Sequence, residues 1–196
     1  TVFNYTPLSN TLGTTFNWVR PFVLGIGSPA GSGGGNPNEF MVNNTNDNLV
    51  VSYVYTLAAN GCTHVQIVTD TVHPLPTLSS ALTGKVCSGD NFHYQPMGYV
   101  FGTTYTWSRA SVTNVTPATG TGSNNIDEVL TNGVLTPLTT YYKISLKANN
   151  CLNAQYLKVT VNPAPPVMPI TTFPLSSLCS GTMFQNFGAA SVPPAG

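Results

Sequence analysis

Charge is what this sequence has least of. Only 6% of its 196 residues are Asp, Glu, Lys or Arg, against roughly 25% in an ordinary soluble domain. Six basic and six acidic side chains cancel, so no basic stripe is available to a nucleic-acid backbone. No run of about 18 apolar residues occurs, so no helical membrane insertion is expected. Good helix formers are scarce, while 18 Gly and 16 Pro interrupt the chain. Thr, Val and Tyr, with turns holding Asn-Gly or Pro, point instead to an all-β protein. Polarity comes from Thr, Ser and Asn. Such a surface fits an extracellular location, where the four cysteines are expected in disulfides rather than as free thiols. No signal peptide stands at Thr1, as expected of a processed chain or of a window from a longer one.

What the sequence does have is repetition. "GTTFNW" at 13–18 returns as "GTTYTW" at 102–107. The same offset of 89 carries Phe3, Tyr5 and Pro7 onto Phe92, Tyr94 and Pro96, and Trp18 and Arg20 onto Trp107 and Arg109. It carries Glu39 onto Glu128, Tyr53 onto Tyr142, Cys62 onto Cys151, and Pro74 and Pro76 onto Pro163 and Pro165. One single-residue shift near Pro29 and Pro117 cancels by Glu39. A third start, "CSGTMF" at 179–184, matches "CSGDNF" at 87–92. A repeat of this size is domain-like. The expected division is 1–76, a repeat lacking its N-terminal strand segment; 77–165, a complete repeat; and 166–196, the start of a third.

Period-two alternation runs through "FHYQP" (92–96), "TYTWSR" (104–109), "YKISLKA" (142–148) and "YLKVTV" (156–161), the mark of half-buried strands. Several short strands in about 90 residues predict an immunoglobulin-like β-sandwich. Trp18 and Trp107 alternate with Phe16 and Tyr105 on the apolar face, so they are expected in the core rather than as sugar-stacking platforms, together with Tyr53 and Tyr142. The Pro-x-Pro segments closing each repeat should end the sheet and stiffen the join.

Cys87 opens the second repeat's first core strand, and Cys151 is taken to close its long late strand. They are expected to pair, closing a loop of about 64 residues and contributing roughly 4 kcal/mol in the chain-entropy picture. Cys62 and Cys179 would then find partners outside this segment. A rival scheme joins Cys62 of one chain to Cys179 of the next.

No catalytic constellation stands out, and no enzyme activity is expected. His64, His73 and His93 do not recur and lack metal-ligand spacing. "GSGGGNPNEF" (31–40) lacks the Lys-Ser/Thr of a phosphate-binding loop and is expected to be a flexible inter-strand loop. Arg20 with Glu39, and Arg109 with Glu128, recur in a chain nearly without charge and are expected to form ion pairs bracing the sandwich. "NNTNDN" (43–48) and Asp127 with Glu128 offer oxygens to a structural Ca²⁺, but no EF-hand pattern is present and an Asn-rich turn is the favoured reading of the first; no cofactor is expected. Asp70 interrupts an apolar face, which predicts a bulge or an edge strand.

Together "VCSGDNF", "TTYTW", "LTTYYKISLKANNC" and "LKVTVNPAP" resemble the PKD-like, immunoglobulin-like repeats of giant surface proteins in Bacteroidota. That resemblance implies a long extracellular filament like the gliding-motility adhesins of the SprB kind, exported by the type IX system. Its partners would be neighbouring repeats of the same chain and surface glycans or the substratum. Two other classes are compatible with the residues: a non-catalytic, glycan-binding module of a secreted enzyme, and a self-polymerising fibre subunit joined by strand donation.

Overall fold

In the computed structural model, residues 2–166 are described, and every regular element among them is a β-strand. The first repeat contributes β1 (Val2–Asn4), β2 (Thr15–Arg20), β3 (Gly31–Gly34), β4 (Asn38–Phe40), β5 (Leu49–Ala59) and β6 (Cys62–Val72). The second contributes β7 (Thr83–Cys87), β8 (Asn91–Tyr94), β9 (Thr104–Arg109), β10 (Val115–Thr116), β11 (Gly120–Ser123), β12 (Ile126–Val129), β13 (Thr131–Asn132), β14 (Leu138–Ala148) and β15 (Cys151–Asn162).

Each repeat is organised by one long hairpin. β5 and β6 pair from Leu49↔Val72 to Ala59↔Cys62, and β14 and β15 from Leu138↔Val161 to Ala148↔Cys151. The turns are Asn60–Gly61 and Asn149–Asn150, all four residues with positive φ. Two left-handed residues match the right-handed twist of the flanking strands, and Asn and Gly tolerate that conformation best.

The larger sheet of the second repeat runs β11-β9-β14-β15-β7, with β7 parallel to β15. Smaller pairs, β12-β8 and β10-β13, complete the fold. In the first repeat the sheet is β3-β2-β5-β6, with β1-β4 as the smaller pair. No described strand lies beyond β6, which is the sheet edge. That accounts for Asp70: its side chain meets solvent at a sheet border, where its counterpart Val159 is fully buried.

Each repeat has its own core. One holds Trp18, Val51, Tyr53 and Tyr55; the other holds Trp107, Tyr142, Ile144, Leu157 and Val159. Fully burying such side chains contributes about 1.5–3 kcal/mol each. The fold is thus an all-β, immunoglobulin-like sandwich.

The expected Cys87–Cys151 disulfide is corrected by this topology. β7 runs parallel to β15 and sets Cys87 opposite Asn162, whereas Cys151 stands at the other end of β15, beside the hairpin turn. Eleven residues of extended strand separate the two levels, roughly 36 Å, against a Cα–Cα limit of about 7 Å for a disulfide. Cys62, Cys87 and Cys151 are all free thiols. Cys179 and the expected start of a third repeat lie outside the described residues.

Candidate functional site: a buried Arg–Glu–Tyr cluster

In each repeat one arginine and one glutamate of this charge-poor chain meet in one place. Arg20 ends β2, Glu39 lies on β4 and Tyr53 lies in the middle of β5. Arg20 and Tyr53 thus project from the larger sheet and Glu39 from the smaller one. Arg20 donates from Nε to Glu39 Oε2 at 2.7 Å and from Nη2 to Oε1 at 3.1 Å. Tyr53 donates its hydroxyl to the same Oε2 at 2.6 Å. The second repeat reproduces this with Arg109 to Glu128 at 3.0 and 3.2 Å, and Tyr142 to Glu128 Oε2 at 2.6 Å. Both guanidiniums also donate to backbone carbonyls, of Pro29 at 2.5 Å and of Pro117 at 2.9 Å.

These are not surface pairs. Arg20 is 0% exposed and Arg109 2%. An isolated buried charge would be costly. Here each guanidinium meets a carboxylate in two-point geometry, which also fixes the distance between the sheets. Arg20 is held above its ordinary pKa, first by the hydrogen bond to Glu39. Glu39 is held below its own by the same bond, against the opposing effect of burial. Burial works against the charge on Arg109, but the bond and charge of Glu128 outweigh it and the net shift is upward. Tyr53 and Tyr142 are pushed far up, first by burial and then by donation to the carboxylates.

Aromatic rings enclose the cluster. Trp18 meets Tyr53 edge-on at 5.4 Å, and Trp107 meets Tyr142 at 5.6 Å. Phe3 stacks on Tyr53, and Phe92 on Tyr142. Over each indole lies a glycine strand. A Cβ on Gly33 would come within 2.9 Å of Trp18, and one on Gly122 within 2.6 Å of Trp107; Cβ atoms on Gly31 and Gly120 would strike the carboxylates of Glu39 and Glu128. The segment expected to be a flexible loop is therefore partly strand β3, and its glycines make room for the ring and the ion pair.

A second recurrent device is Asn43, with its counterpart Asn132. Asn43 Nδ2 donates to the carbonyls of Asp47 and Val72, and Asn132 Nδ2 to those of Thr136 and Val161, all within 2.8 Å. Each Asn ties a loop to the end of the late strand. In "NNTNDN", Asn43 thus acts as a clasp. Its recurrence at the 89-residue offset was the available signal.

The remaining candidates do not assemble. Among the described residues no three His, Cys, Asp or Glu side chains come together as a metal site. His64 is exposed on β6, and His73 hydrogen-bonds Asn48 Oδ1 at 2.9 Å. His93 meets Asp127 at 2.5 Å on the surface and holds that carboxyl below its usual range. Trp18 and Trp107 are 7% and 9% exposed, so neither offers a stacking face.

The architecture is that of an immunoglobulin-like module whose polar cluster serves the fold. A family model described as a PKD-like domain matches residues 84–165, from β7 to the closing Pro-x-Pro. Modules of this class are typically non-catalytic. No curated protein matches the chain.

Proposed function

We propose that this chain is a shaft segment of a long extracellular repeat filament, an adhesin of the bacterial surface that supports attachment or gliding. Its role is mechanical: stacked sandwiches hold a binding element away from the cell and transmit load. The observation that carries this reading is the way the linker is held. Asn153 donates to the carbonyl of Pro76 at 2.9 Å, and the Leu78 amide donates to Gln155 Oε1 at 2.6 Å. A proline-flanked linker pinned by side chains of the following repeat behaves as a stiff joint, not a coil.

Small-angle scattering on concatemers of the second repeat tests this. A rod grows linearly, by about 36 Å or more for each repeat added, the length of its eleven-residue strand. Growth as the square root of copy number would sink the shaft reading. The edge of β6, unpaired among the described residues, favours a second reading, a fibre subunit joined by strand donation; chains that form filaments unaided in solution would support it.

A further inference from the structure

The first repeat keeps a groove that the second repeat fills. In the second, β7 lies parallel along β15 from Lys158↔Thr83 to Asn162↔Cys87. The segment before β7 sends Leu78 into the core, with its amide on Gln155. In the first repeat no strand among the described residues pairs with the corresponding edge of β6. Gln66, the counterpart of Gln155, lines that edge without a side-chain hydrogen bond among the described residues. Beside it is a small hollow lined by Tyr5, Phe16, Leu57, Gln66 and Val68, at the level where Leu78 approaches Gln155 in the second repeat. Further along, Asp70, Thr71, Val72 and His73 border a cavity of about 440 Å³. The counterparts of Val68 and Val72, Leu157 and Val161, are 0% exposed, while Val68 and Val72 are only half-buried.

The far wall of that cavity is the hairpin of the second repeat: Asn149, Asn150 and Cys151. The hairpin is seated by Asn48, whose Oδ1 meets both His73 at 2.9 Å and Asn149 at 3.5 Å. His73 is the counterpart of Asn162, which stands opposite Cys87. A strand laid along β6 as β7 lies along β15 would therefore bring its terminal cysteine to His73, in the cavity that Cys151 lines.

We propose that this groove takes a parallel strand of the β7 kind, with an apolar residue at the place of Leu78 and a cysteine at the place of Cys87, and that this cysteine forms a disulfide with Cys151 of the following repeat. The strand comes from the residues that lead into β1, as β7 leads into β8. The bond joins neighbouring repeats instead of closing one. Cys87, exposed at the opposite end of the second repeat, is the donor cysteine of the next junction. Cys62, exposed on the first hairpin, is the acceptor of the preceding one. In the formation of each bond two thiols give up two protons and two electrons, and a disulfide-bearing oxidant takes them and is reduced to two thiols. This inference rests on the tandem-repeat part of the proposed function, but not on adhesion.

The test uses the whole chain and a synthetic peptide of residues 77–90, its cysteine activated as the mixed disulfide with thionitrobenzoate. The attacking thiolate displaces thionitrobenzoate, which leaves with the bonding electron pair, so each capture is read by absorbance and located by peptide mapping. A seated strand raises the local concentration of its sulfur, so capture at Cys151 should exceed capture at Cys62 by roughly tenfold or more. Replacing Leu in the peptide at the place of Leu78 by Asp should remove that preference. A Cys→Ser peptide should still raise the melting temperature of the C151S chain, which reads the groove without the bond. Equal labelling of the three described cysteines, or no stabilisation by the Ser peptide, would overturn the proposal. Oxidised oligomers linked through Cys179 and Cys151 without peptide would overturn the source, giving the groove to another chain. Rod-like concatemers with no peptide capture would leave the shaft reading standing and this inference refuted.

Discussion

Tyr142 Oη and Arg109 Nε reach the same oxygen, Glu128 Oε2, at 2.6 and 3.0 Å. One carboxylate on the smaller sheet thus collects a neutral and a charged donor from the larger sheet. The three groups are mutually dependent. Removing the cation leaves a carboxylate that is mostly buried, with one tyrosine for company.

The first prediction concerns that dependence. Arg109→Gln should destabilise the second repeat by about 3–5 kcal/mol, the range for breaking one side of a buried pair. Tyr142→Phe should cost about 1–2 kcal/mol, because Glu128 keeps its arginine. Denaturant unfolding followed by tryptophan fluorescence gives both values. An Arg109→Gln variant within 0.5 kcal/mol of wild type, roughly the span of ordinary surface changes, would show that the cluster braces nothing.

The same groups set how stability depends on pH. Glu39 is lowered from an ordinary 4.5, so the folded state binds its proton more weakly than the unfolded chain does. Its contribution is complete above about pH 4.5 and is lost as pH falls through the depressed folded value. Tyr53 and Tyr142 are raised from 10.0. Between 10 and the raised value the folded state retains protons that the unfolded chain releases, so stability declines as pH rises above 10. Urea midpoints across pH should show both arms. The alkaline arm should be shallower in the Tyr53→Phe, Tyr142→Phe double variant; an unchanged slope would remove these hydroxyls from the account.

The glycine strands give a steric prediction. Gly122→Ala places a Cβ 2.6 Å from the Trp107 ring, which cannot move away without disturbing Tyr142. A cost of about 1–3 kcal/mol is expected for such overpacking, with a change in the near-ultraviolet circular dichroism of the indole. Gly35→Ala in the first repeat meets nothing within 4 Å but sits at φ +67, so its smaller cost should appear without the spectral change. Identical spectra for both variants would refute the packing role assigned to Gly122.

The strand faces were legible in the sequence because side chains alternate where one face is buried: Tyr142, Ile144 and Leu146 are all within 1% of full burial. The partners Arg20 with Glu39 and Arg109 with Glu128 were legible because rare charges recurred together. Their depth was not, since recurrence carries no information about exposure. The glycine strand was read as a loop because residues without side chains cannot alternate. The cysteine pairing went astray on direction. Asn149–Asn150 between two alternating runs is a hairpin signal, and it puts Cys151 at the start of a returning strand. Separation along the chain does not say which end of a sandwich a residue occupies; strand direction does.

The last prediction comes from comparing the repeats at one buried position. Thr140 is 0% exposed, and its Oγ1 has no hydrogen-bond partner among the described residues. Its counterpart at the 89-residue offset is Val51, also 0% exposed. The two side chains are close in shape, so the first repeat shows that this place in the fold accepts a methyl where the second keeps a hydroxyl. Burying an unpaired hydroxyl costs about 1–3 kcal/mol. Thr140→Val should therefore stabilise the second repeat by about 1 kcal/mol, and the reverse change Val51→Thr should destabilise the first by a similar or larger amount. Thermal melts of the two variants make the comparison. A destabilised Thr140→Val protein would mean that the hydroxyl finds a partner in solution, and would take away the reason for treating the two positions as equivalent.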